Sequence, residues 1–313
     1  MVKSISTALC LFLAFNLFCQ QKIDNALTID HENILGSKIC IIPPDGFKKS
    51  DKFAGLEHKR SGSSIMVNEM QTSYDSISNG LNKENFLKQG VHVSLIENIT
   101  INEVSGLLFT ATQVARGSNY GKYILFFGTN EETYLIVGVY PENETEVGLE
   151  IKKSILTAVT LAEHPVDQIN ALDFTLDVSQ TKFKLGNGPT NVLMYTVDGK
   201  IPTNSEDKSV LIATKSFSES RIDDHRKFAE NRIKNLDITI NKTEYINELK
   251  INGISGIEIY AKGQNPKNGD IENVYLVILF TRKNYYMLVG ITNDESQVSI
   301  DEFKKAIKTF ELK

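Results

Sequence analysis

The densest run of residues able to do acid–base chemistry is Arg221, Asp223, Asp224, His225 and Arg226. Two carboxylates, an imidazole and two guanidinium groups within six residues could serve acid–base chemistry if they faced a cleft. The same run also opens a predicted helix. Acidic residues in a first helical turn are the ordinary complement to the helix dipole, and that structural reading is preferred. Cys40 is the other group with nucleophilic chemistry. It lies in the apolar run Ile39-Cys40-Ile41-Ile42, which predicts a buried strand and a thiol held protonated and inert. The five histidines, His31, His58, His92, His164 and His225, show no metal-ligand spacing. No HExxH, CxxC, EF-hand or GxSxG pattern occurs, and the glycines at 186 and 263–269 lack the strand-then-helix setting of a phosphate loop. No catalytic, cofactor-binding or metal-binding residue is therefore assigned, and no cofactor is expected.

The elements that would position any site come in two copies. Ile101-Asn102-Glu103-Val104-Ser105-Gly106-Leu107 recurs as Ile251-Asn252-Gly253-Ile254-Ser255-Gly256-Ile257. Tyr123, Tyr134, Gly138 and Glu150–Lys153 then find counterparts in Tyr275, Tyr286, Gly290 and Glu302–Lys305. Two copies of roughly 140 residues are domains rather than solenoid repeats.

Alternating or continuous apolar runs predict strands at 64–67, 91–101, 104–114, 122–127 and 133–140 in the first copy. The second copy repeats them at 209–214, 238–251, 254–261, 274–281 and 285–291. Asn252-Gly253 is a strong two-residue hairpin signal, because both turn positions need positive φ. Gly106 and Gly256 fall inside strands, where glycine marks a bulge or a close backbone approach. Helices are predicted at 83–89 and 223–234, and each copy closes with another. In the first closing helix Ile151, Ile155, Ala158 and Val159 form the apolar face. In the second, Ser299 and Glu302 form a capping box ahead of Ile300, Phe303, Ile307 and Phe310.

The fold class is thus α+β, two antiparallel meander sheets each covered by helices, with domains at 20–162 and 168–313 and a boundary before Pro165. The polar stretch Leu185–Lys208 has no close counterpart in the first copy and reads as a loop-rich insertion, a usual place for function. Arg221–Arg226, Cys40 and this stretch each belong to one copy only. A specific site is expected to be asymmetric, or to lie between the domains.

Composition bounds the partners. The 313 residues are 41% hydrophobic and 23% charged, with 34 basic and 39 acidic residues. That balance leaves no basic surplus for nucleic acid, which is excluded as a partner. At the start, Lys3 precedes an apolar stretch from Ile5 to Phe18 and then Gln20-Gln21-Lys22. This is a secretory signal layout over residues 1–19, and it predicts a protein exported to the periplasm or the extracellular space. Cleavage after Cys19 leaves Cys40 as the one cysteine, so no internal disulfide is expected. The alternative is lipid attachment at Cys19, which would anchor the protein to a membrane, although Phe18 departs from the small residue that lipoprotein signals carry.

The order of helix, meander and closing helix, with Ile251-Asn252-Gly253-Ile254-Ser255-Gly256 and more loosely Ile101–Gly106, resembles the PsbP-like family of α/β/α sandwich domains, here in tandem over residues 38–162 and 168–313. That resemblance implies a non-catalytic binding or assembly protein with a protein or small-molecule partner, and it carries over no site residues. The alternatives are a hydrolase with a cleft near Arg221–Arg226 and a lipid-anchored envelope assembly factor.

Overall fold

A computed structural model describes residues 21–115, 117–161, 169, 171–216, 222–293 and 297–313. The signal segment with Cys19, the expected domain boundary and Arg221 lie outside them. In chain order the first copy contains β1 (Gln21–Ile23), β2 (Glu32–Asn33), β3 (Ile39–Ile41), β4 (Lys48–Lys49), β5 (Gly55–His58), β6 (Ser63–Met70), α1 (Tyr74–Ser78), α2 (Lys83–Lys88), β7 (Val91–Ile101), β8 (Val104–Ala115), β9 (Ser118–Gly128), β10 (Thr133–Pro141), α3 (Thr145–Ile155) and β11 (Val159–Thr160). The second contains β12 (Phe174–Thr175), β13 (Lys184–Leu185), β14 (Val192–Thr196), β15 (Val210–Lys215), α4 (His225–Lys234), β16 (Thr239–Ile251), β17 (Ile254–Gln264), β18 (Ile271–Phe280), β19 (Tyr285–Thr292), α5 (Gln297–Ile307) and β20 (Glu311–Leu312).

The predicted hairpins close as the turn chemistry requires. Asn252 and Gly253 take φ of 46° and 87°, and Asn102 and Glu103 take 47° and 67°. Glu103 thus occupies a left-handed position without glycine's freedom, held there by the β7–β8 ladder that closes at Ile101 and Val104. The meanders β7-β8-β9-β10 and β16-β17-β18-β19 form as expected, but neither stands alone. In both copies the last meander strand pairs with an earlier segment, giving open antiparallel sheets ordered β7-β8-β9-β10-β6-β5-β4 and β16-β17-β18-β19-β15-β14-β13. The first gains β1, which runs parallel to the outer edge of β7.

This matching order corrects the reading of Leu185–Lys208. The segment holds β13 and β14, the counterparts of β4 and β5, so only the longer connection between β14 and β15 is extra. Strands of two to five residues among glycines, prolines and asparagines are too short to show a period of two.

Helices cover both faces of each sheet. The closing helix lies on one face, with Ile151 and Ile155 of α3, and Ile300, Phe303 and Ile307 of α5, in the cores of their copies. On the opposite face, Tyr74 and Phe86 cover Phe109 and Phe126, while Ala229 and Ile233 of α4 cover Ile257 and Ile259. Ala158, Val159 and Phe310 lie just beyond the closing helices rather than in them. Gly138 and Gly290 let those helices approach. A Cβ would sit 2.1 Å from Ile151 Cγ2 in one and 2.4 Å from the Phe303 ring in the other. Gly106 and Gly256 lie in regular ladder, not bulges, and their Cβ atoms would stand 2.7 and 2.6 Å from the carbonyl oxygens of Phe126 and Ile278.

The capping box also needs correction. Ser299 is the third residue of α5, not its cap. The Glu302 carboxylate instead accepts the Lys182 N–H, tying the helix to the segment before β13.

Candidate functional site

Polar groups gather at three places, and in each the side chains are engaged with one another. In the first copy, Lys38 precedes β3 and reaches β6 and the start of β10. Its ammonium donates to Glu132 at 2.7 Å and lies 3.7 Å from Glu69, while its N–H bonds Glu69 Oε2. Tyr134 donates its hydroxyl proton to the other Glu132 oxygen. Glu69 is 4% exposed, and burial pushes its carboxyl up against the pull of Lys38. Burial acts on Glu132 too, but the Lys38 and Tyr134 hydrogen bonds hold its carboxyl below the usual range.

The second copy places a pair of opposite polarity at the matching positions, with Asn284 where the first copy has Glu132. Glu69 pairs with Tyr134 across β6–β10, and Lys215 pairs with Tyr286 across β15–β19. Lys38 and Asp173 occupy matching places, since their carbonyls accept the N–H of Leu161 and Lys313 after the equivalent closing strands. Lys215 forms an ion pair with Asp173, and Tyr286 donates to Asp173 at 2.9 Å. Where one copy carries base then acid, the other carries acid then base. A third group joins Lys182 to Asp207 and to the buried Ser299 hydroxyl at 2.7 Å. Ser299 is 0% exposed, so this serine–lysine contact offers no reaction surface.

Between the copies the turn before β14 inserts its side chains into the first sheet. Past Gly55 the Val67 N–H still bonds the Ala54 carbonyl, and the Asn191 amide bridges the other half of that pair. Its oxygen accepts the Ala54 N–H, while its nitrogen donates to the Val67 carbonyl and to Asn68 Oδ1, each at 3.0 Å. Thr190 Oγ1 accepts the Glu69 N–H at 3.0 Å. Asn191 and Thr190 are 2% and 0% exposed. The asparagine side chain thus acts as an extra peptide unit in the ladder, and Thr190 couples the second copy to the Glu69 cluster of the first.

The acid–base run predicted from sequence lies at the start of α4. Asp224 caps the helix by accepting the Lys227 N–H at 2.9 Å. His225 stacks on Phe280 with ring centroids 3.9 Å apart, and Arg226 donates to the Ile246 carbonyl. These residues border an open depression of about 830 Å³, whose other wall carries Glu248, Lys250 and Ser255. The structure brings Asp223 through Arg226 together, but each contact just named serves helix and sheet. Cys40 is 3% exposed in β3, and burial pushes its thiol up. Among the described residues no group of three or more His, Cys, Asp or Glu could hold a metal ion. None of their helices is long and apolar enough to cross a membrane.

Sequence reasoning missed Asn191, because nothing local marks an asparagine that reaches more than 120 residues back. It also missed Lys122, half-buried on β9 where the second copy has Val274; burial pushes its ammonium down.

The chain is an α+β protein built on open antiparallel sheets. No family model matches it, and no curated protein does. The PsbP-like resemblance therefore stays an expectation. Over 92% of its length the chain is similar to a protein in the solved Tle4–Tli4 complex, covering 99% of that protein at 12% identity and a TM-score of 0.36. It is similar over 90% of its length to the T6SS immunity protein TplEi of Pseudomonas aeruginosa, covering 96% of it at 10% identity and a TM-score of 0.30. A protein of unknown function from the same organism, PA94, matches 44% of the chain and is 90% covered, at 14% identity and a TM-score of 0.29. Likenesses this distant carry no argument about function.

Proposed function

We propose that this chain is an exported, non-catalytic protein-binding protein whose two copies present one fixed surface. The observation that carries the reading is the Asn191 insertion, which joins the sheets through buried hydrogen bonds. Surfaces held in their bound arrangement before contact avoid the ordering cost of association. The polar clusters support it, since their charged groups hold one another in place and leave edges and faces for recognition. The order of elements that resembles PsbP-like domains agrees, because that family consists mostly of binding and assembly proteins. Export rests on the apolar segment from Ile5 to Phe18. A lipid at Cys19 would keep the same function at a membrane.

Two measurements test this. Purified chain should leave generic ester, peptide and phosphate substrates unchanged. Turnover lost on His225→Ala or Cys40→Ala would overturn the reading in favour of a hydrolase. Expressed with its own signal, the protein should appear in the soluble exported fraction with a mass starting at Gln20; a lipid-bearing Cys19 in the membrane fraction would make it an anchored factor.

A further inference from the structure

An asparagine followed by glycine can react with its own backbone, because a glycine nitrogen carries no neighbouring Cβ to hinder closure of a five-membered ring on the side-chain amide. The chain holds four such pairs, Asn79-Gly80, Asn187-Gly188, Asn252-Gly253 and Asn268-Gly269. All four asparagines are exposed, so access to water does not separate them. The attacking N–H does. Gly80 donates to the Ile77 carbonyl at 2.9 Å, Gly188 to that of Gly186 at 2.9 Å and Gly269 to that of Asn265 at 2.8 Å. Each of these must give up its bond before the nitrogen can attack. Gly253 donates to no group among the described residues, and a Cβ placed on it would meet nothing within 4 Å.

The surroundings of Asn252 give such a reaction a structural effect. Its Nδ2 donates to the Phe310 carbonyl at 2.9 Å. Phe310 is 0% exposed, its ring stacks on Phe174, and the residues that follow it pair with β12 as β20. One side-chain amide thus ties the β16–β17 turn to the start of the C-terminal strand. The first copy makes the same turn with Asn102-Glu103 at closely similar φ, and there the glutamate side chain crowds the ring closure.

We propose that Asn252 is a site of spontaneous modification that loosens the C-terminal strand. The side chain swings off Phe310, the Gly253 nitrogen loses its proton to hydroxide, and that nitrogen attacks Cγ. The new N–Cγ bond forms as Cγ–Nδ2 breaks, and Nδ2 takes a proton from water and leaves as ammonia. Water then opens the cyclic imide at either carbonyl, giving aspartate or isoaspartate, and nothing is oxidised or reduced. Either product sets a carboxylate where an amide had donated, so the Phe310 carbonyl loses its partner and faces negative charge. Isoaspartate also adds a methylene to a two-residue turn whose length fixes the strand register. This goes beyond the protein-binding reading and does not rest on it.

The test incubates the full chain in mildly alkaline buffer and follows each pair by peptide mass spectrometry, as a gain of about 1 Da per event. Asn252 should react about tenfold faster than Asn79, Asn187 or Asn268, the rate equivalent of one hydrogen bond on the attacking nitrogen. In urea-unfolded chain the four rates should converge. Gly253→Glu, which gives this turn the residue types of the first, should stop the reaction at Asn252. Asn252→Asp installs the product charge without any reaction, and amide hydrogen exchange at Glu311–Lys313 should then quicken by about tenfold. A faster reaction at another pair in the folded chain, an unchanged rate in Gly253→Glu, or unchanged exchange in Asn252→Asp would each overturn the proposal. The wild-type ranking tests the reactive step with no substitution at all.

Discussion

Replacing Asn191 by alanine removes the side chain that makes three of the hydrogen bonds joining the two copies and leaves Thr190 beside it in place. Three hydrogen bonds disappear, and the Ala54 N–H and Val67 carbonyl lose a partner inside a junction where Asn191 is only 2% exposed. A buried backbone group left unpaired costs about 1–3 kcal/mol, so two such groups, relieved in part by entering water, place the loss at about 3 kcal/mol. At roughly 2–4 °C per kcal/mol for a domain of this size, melting of the first copy should fall by about 6–12 °C. Differential scanning calorimetry reads this directly. The wild type should unfold its copies in one transition, and the variant should separate them, with the first copy melting earlier. Asn204→Ala, an exposed position in the β14–β15 connection, is the control and should stay within about 0.5 kcal/mol of wild type. An Asn191→Ala melt indistinguishable from that control, or a lowered but still single transition, would refute the claim that this side chain couples the copies.

The Tyr195 hydroxyl is buried with no partner among the described residues. Tyr195→Phe should therefore raise stability by about 1 kcal/mol in urea unfolding. Burial also pushes the hydroxyls of Tyr195 and Tyr140 up to about 12. A folded value raised above the unfolded one means stability fully present below about pH 10 and lost as pH climbs towards 12. Urea midpoints should fall across that window, less steeply in Tyr195→Phe. Glu132 and Asp207 are held low by the partners described above, so their contribution is present above the unfolded carboxylate range and is lost as pH falls. Glu69→Lys should cost about 3 kcal/mol by facing the half-buried Lys38 with a buried cation. Adding Lys38→Asp together with Glu132→Asn, which gives the first copy the charges of the second, where Asn284 stands at the place of Glu132, should restore more than half of that loss.

Long elements with a clear period were legible from sequence. Both meanders follow their apolar runs and α2 starts at Lys83 as expected, while α4 starts at His225, two residues inside the expected 223–234, with Asp224 as its cap rather than in its first turn. What escaped has a common physical cause. β4, β5, β13 and β14 exist because a neighbouring strand pairs with them, and their own residues prefer turns. β1 is three residues long, set by an edge some 78 positions away. Ser299 satisfies the local capping pattern, yet Lys182 and the strand beneath take its hydroxyl and Glu302. The acid–base run is contiguous in sequence, but only the fold shows its histidine stacked on Phe280 and its aspartate spent on a cap.

The exchanged polarity of the Lys38–Glu69 and Asp173–Lys215 pairs has a consequence for how a duplicated chain assembles. Adjacent copies of similar sequence can trade strands while folding, because each strand finds a second site of nearly the right shape. Were β6 to enter the place of β15, Glu69 would meet Asp173; in the reverse trade Lys215 would meet Lys38. Both mistakes set like charges against each other at a half-buried place, whereas the correct pairing sets opposite ones there. A chain whose copies shared one polarity would lose that discrimination and should refold with a larger share of strand-exchanged species. The inversion labels each copy's strands as its own.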